Sequence, residues 1–184
     1  MGSKALQEEK VVKILRASYY VFLAIIIVLT LFGLVEAVKE YATTGVVTIG
    51  EWFVEFDWPF ANFAKPVSYL TVSLIAFFAL HLEFHKDAFK RLSPSLRRAL
   101  FILGVIAAFV CFYETLYNFT VWNALITRDA MKGIMRIDYL NINYPNPNIP
   151  WSLPFATKIF SAFLVISLYF LYFVNRVESE LRRS

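Results

Sequence analysis

The sequence predicts an all-α, polytopic membrane protein: a four-helix transmembrane bundle with two structured outer loops. Three observations lead there. The chain of 184 residues is 59% hydrophobic and 17% charged, against about 45–50% apolar and 25% charged in an average soluble domain. Its apolar residues gather into four runs, each long enough to cross about 30 Å of hydrocarbon and too apolar all round for a soluble amphipathic helix. Its Lys and Arg residues fall mainly on one side of those runs. Such a composition excludes disorder and leaves too little polar surface to cover a water-soluble globule.

The whole chain, residues 1–184, reads as a single transmembrane domain. The first span covers about 14–38, with no charge between Arg16 and Glu36. It is not a cleavable signal, because its apolar core exceeds the about 7–15 residues of one and no small-residue cleavage motif follows. The second span covers 65–85, where Pro66 suits a first helical turn whose N–H has no intrahelical acceptor. The third covers 97–126, from the basic pair Arg97 and Arg98 onward, and is interrupted by Glu114. The fourth covers 154–175, opened by Pro154. Outer loops 39–64 and 127–153 complete the two halves.

Orientation follows from counting cations. The amino tail, the link between the second and third spans, and the carboxyl tail hold twelve Lys and Arg; the two long loops and their flanks hold six. The positive-inside rule then predicts a multi-pass cell-membrane protein with both termini cytoplasmic. That segregation explains the net charge of +4 without a nucleic-acid partner. The expected partners are the lipid bilayer and other membrane subunits or further copies of the chain. The lone Cys111, in an apolar run, forms neither an internal disulfide nor a CxxC motif.

The outer loops are unusually apolar. Thr48-Ile49-Gly50-Glu51 matches a capping box, and Ile49, Trp52, Phe53 and Phe56 share one helical face ahead of Pro59. This predicts a short interfacial helix over 49–58. A strand is the alternative, since Trp52, Val54, Phe56 and Trp58 also alternate with Glu51, Glu55 and Asp57. The second loop ends between Asn141 and Trp151 in a stretch with three prolines and four asparagines, an ordered but irregular turn region. Trp52, Phe53, Phe56, Trp58, Tyr144 and Trp151 are therefore the expected interface residues, anchoring at the headgroups or docking a partner.

The halves also hint at a parallel repeat about an axis along the membrane normal. Residues 32–38 can be laid against 110–116, which pairs Glu36 with Glu114, and Pro66 against Pro154. An intramembrane carboxylate is a functional hypothesis by default. Glu36 and Glu114, with Tyr113, Tyr117 and Asn118 nearby, form the candidate intramembrane polar site, either a protonatable site open to the outer face or a clasp between the first and third spans.

The chain's only histidines, His81 and His85, lie four apart and so on one helix face, as two ligands of one metal ion require. Glu83 between them is not in the HExxH position and points elsewhere. One helix cannot supply both axial ligands of a haem, so a metal site would need Asp87, Tyr172, Asn175 or another subunit to complete it. No phosphate-cradling glycine loop or nucleophile elbow is present. Composition names no cofactor and assigns no catalytic residue.

Three function classes follow. The first is a non-catalytic subunit or scaffold of a larger integral-membrane assembly. The second is a metal- or haem-binding redox subunit using His81 and His85. The third is a small oligomeric transporter or channel with Glu114 on the path.

Overall fold

The structure is a computed structural model describing residues 2–55, 57–61, 63–134, 142, 143, 145 and 151–183, with side chains from residue 9 onward. Helix α1 spans Gly2–Thr44, α2 Trp52–Glu55, α3 Pro66–Phe84, α4 Lys86–Lys90, α5 Pro94–Met131 and α6 Leu153–Leu181. Four of them, α1, α3, α5 and α6, are long and apolar enough to cross a membrane. The predicted all-helical fold with four spans is what the chain adopts.

Helix α3, with 19 residues, rises about 28 Å and matches the hydrocarbon thickness on its own. The other three overrun their predicted limits. The extra turns are rich in Glu, Lys, Gln and Arg, good helix formers, so the helix continues after hydropathy has ended. Starts are marked locally: Ser93 caps α5 by accepting from the Leu96 N–H at 3.3 Å, and Ser152 caps α6 by accepting from Phe155 at 3.4 Å. Each precedes a proline in the first turn, as does Lys65 before Pro66.

The spans pack in the order α1, α3, α6, α5, with α3 and α6 parallel in the centre and α1 and α5 as outer members. Three sets of contacts fix the register. Tyr19 of α1 stacks on Phe77 and meets His81 of α3. Lys158 of α6 donates to Ser68 of α3 at 3.3 Å. Arg97 of α5 pairs with Glu178 of α6, and Phe170 and Leu171 close on Gly104. The main apolar core lies toward the termini, where Phe173, Val174 and Val177 are buried against Leu82, Phe89, Phe101 and Phe170.

This order overturns the clasp between the first and third spans. Two helices stand between α1 and α5, each step about 8–10 Å. Carried through the register marks, Glu36 also lies about seven residues, roughly 10 Å, nearer the loop end than Glu114. The two hairpins, α1 with α3 and α5 with α6, do sit as a parallel repeat would place them. The pairing of residue 32 with 110 is what fails.

The two long loops are joined to each other. The Ser152 N–H donates to the Ile49 carbonyl at 2.9 Å, Leu153 donates to Ile142 at 3.1 Å, and isolated bridges pair Ile49 with Trp151 and Asn143 with Ser152. Of the helix expected over 49–58, one turn forms, Trp52–Glu55. Gly50 at φ +82° breaks the chain before it, and the Thr48 N–H donates to Glu40 Oε1 at 3.0 Å instead of opening a longer helix. Val54 lies buried in that turn, so the strand alternative is not realised there.

Candidate functional site

The densest polar cluster sits at the terminus end, where α3, α4, α5 and α6 converge. Glu83 receives Arg176 Nη2 on both carboxylate oxygens, at 2.6 and 2.7 Å, and the Tyr169 hydroxyl at 2.6 Å. Tyr169 and Arg176 are seven residues apart, two turns of α6, which puts both on the face toward α3. Glu180 takes Lys86 at 2.5 Å and Lys90 at 2.9 Å. Arg97 is buried, donates Nε to Glu178 at 2.5 Å, and caps the α4 turn through the carbonyls of Lys90 and Leu92. Four of the cations at this end are thus tied to carboxylates of neighbouring elements.

His81 and His85 lie beside that network. Their rings stack with centroids 4.2 Å apart. His85 Nδ1 donates to the His81 carbonyl at 2.9 Å, which leaves its Nε2 as the available lone pair. His81 Nδ1 is 3.1 Å from the Tyr19 hydroxyl of α1. Among the described residues, no group of three or more His, Cys, Asp and Glu is placed to hold a metal ion. Of the proposed completing ligands, Asp87 and Asn175 are exposed, and Tyr172 carries the Arg176 guanidinium over its ring at 5.7 Å.

Glu114 and Asn118 make a local pair on α5. Asn118, 1% exposed, donates Nδ2 to the Glu114 carbonyl at 2.8 Å and to Glu114 Oε2 at 3.3 Å. Its Oδ1 is buried with no hydrogen-bond partner among the described residues. Tyr113 and Tyr117 stack on each other at 6.1 Å on the exposed side of α5. Cys111, one turn earlier, is buried.

Glu36 belongs to a different place. It pairs with Lys39 at 2.6 Å and lines a cleft of about 410 Å³ with Glu40, Glu51 and Glu55, between the end of α1 and the first loop. Two glycines shape its walls. The Phe53 ring lies where a Cβ on Gly33 would stand, and the Phe155 ring does the same at Gly50.

The expected interface aromatics divide. Trp52 stacks on Phe32, and Phe53 on Phe155, so both are turned onto the helices. Trp151 is half-buried at the bridge to Ile49. Trp58 remains exposed, with Tyr69 edge-on and its hydroxyl donating to the Trp58 carbonyl at 2.8 Å. Phe60 and Phe63, packed together at 4.8 Å, extend that exposed patch and were not anticipated. Phe56 and Tyr144 lie outside the described residues.

Fold and sites together define a multi-pass, all-helical membrane protein with polar groups concentrated at its two ends. Comparisons with family profiles, curated proteins and solved structures find no match.

Proposed function

We propose that the protein is a non-catalytic subunit or scaffold of a larger integral-membrane assembly in the cell membrane, with both termini cytoplasmic. The observation that carries this reading is the open side-by-side order of the spans. The outer helices α1 and α5 present long rows of exposed large apolar residues, Leu31 to Val38 on one and Ile102 to Phe112 on the other. Most ionisable groups near the spans, by contrast, are engaged within the chain, as Glu83, Arg176, Glu178 and Glu180 are. The exposed patch of Trp58, Phe60 and Phe63 offers a further surface at the loop end.

A photo-crosslinker placed at Leu34 or Phe109 in cells tests the reading. Discrete protein adducts that persist through purification in lipid discs are the expected result; lipid adducts alone, with a monomer mass, would overturn it. The stacked histidines support a second reading, a metal-binding subunit completed by another chain. Metal analysis and an absorbance spectrum of the disc-purified assembly, with and without His85→Ala, test that one.

A further inference from the structure

We propose that the α4–α5 turn, the first turns of α5 and the two arginines that follow α6 form a binding site for the headgroup of an anionic phospholipid. The inference rests on the chain spanning a bilayer and not on the partner reading above. Arg91, Arg98, Arg182 and Arg183 are all exposed, and none has a carboxylate within ion-pair distance among the described residues. They surround a junction whose other cations are neutralised internally. Arg98 follows Arg97, which holds Glu178; the Arg182 N–H donates to the Glu178 carbonyl at 3.1 Å, one turn on. Arg91 follows Lys90, which holds Glu180, and the Arg183 N–H donates to the Glu180 carbonyl at 3.1 Å. Asp87, also exposed, is the acid of α4 that offsets part of this charge.

Depth supplies the second half of the argument. The apolar run of α5 begins at Ala99, directly after Arg98, so the junction stands at headgroup level. The amino end of α5, with its positive dipole, opens at the same place. Within the next two turns Ile102, Leu103 and Ile106 are exposed, forming an apolar strip where acyl chains lie. Guanidinium groups bind phosphate oxygens bidentately, so a phosphodiester above that strip meets both its charge and its tails. Free phosphate would use only the first.

The test uses the full chain in phosphatidylcholine discs containing spin-labelled phosphatidylglycerol or spin-labelled phosphatidylcholine. The expected result is a several-fold enrichment of phosphatidylglycerol at the protein surface, falling toward one at high salt. The combined variant R91Q/R98Q/R182Q/R183Q should lose the enrichment, while K10Q/R16Q, at the same end, should keep it. The paired variant R98Q/R182Q gives an intermediate value and serves if the fourfold variant does not fold. Enrichment near one in the unaltered chain would overturn the proposal, as would retention in either folded arginine variant. Loss of enrichment on adding inorganic phosphate, beyond the effect of sodium chloride at equal ionic strength, would also overturn it by assigning the site to the free ion.

Discussion

Arg97 shows how much can depend on one side chain. It is 7% exposed and serves a carboxylate and two backbone carbonyls from three different segments. Replacing Arg97 removes the ion pair and both carbonyl bonds at once, and each hydrogen bond to a charged group contributes about 1.5–3 kcal/mol. Arg97→Ala should therefore lower the unfolding temperature in detergent much more than Glu178→Gln, which keeps an acceptor oxygen; equal effects would mean the carbonyl caps contribute little. Gly50 gives a second contrast. Its φ of +82° disfavours any side chain, and an added Cβ would also stand 2.1 Å from the Phe155 ring. Gly45 has a similar φ of +73° but open space around it. Gly50→Ala should cost more than Gly45→Ala, which bears only the backbone strain of about 1–2 kcal/mol; the difference in thermal midpoint reads the clash. Neither residue was legible as special in the sequence. Arg97 looked like the start of a span, and nothing within the loop announces that Phe155, more than a hundred positions away, will press on Gly50.

Among the elements, the four spans were readable because hydropathy is a local property that survives any packing arrangement. Their neighbours were not. Which helix lies beside which depends on pairs such as Glu83 with Arg176, or Tyr19 with His81, separated by 93 and 62 residues. The similarity around Glu36 and Glu114 predicts a shared register and a contact, yet α1 and α5 occupy opposite flanks. A short bismaleimide should join cysteines placed at Tyr19 and His81, whose rings are 6.1 Å apart, and should fail between Glu36 and Glu114. Efficient joining of the second pair within one chain would require a closed ring of helices. For the single helical turn Trp52–Glu55, Trp52 and Phe53 of the expected aromatic face lie in the helix, and its start is delayed because Gly50 takes a positive φ that a helix cannot continue through.

At the scale of the whole molecule, charge asymmetry gives a topology prediction. Twelve Lys and Arg belong to the end that carries the termini and six to the end that carries the loops. In a Cys111→Ala background, an impermeant thiol reagent applied to intact cells should label a cysteine at Lys132 and spare one at Ser95. The reverse pattern would invert the protein in its membrane. The bond from Ser152 to Ile49 has another consequence, one of timing during synthesis. The ribosome finishes α1, α2 and α3 long before it makes the segment on which the first loop closes. At about 5–20 residues per second, that loop waits several seconds without its partner, with the Phe53 face that Phe155 will cover still bare. A nascent chain halted just short of Trp151 should therefore be cut by protease in the first loop, while the completed chain resists. Arrival of the segment from Trp151 to Phe155, not membrane entry of the first hairpin, then becomes the moment at which the two hairpins turn into one object.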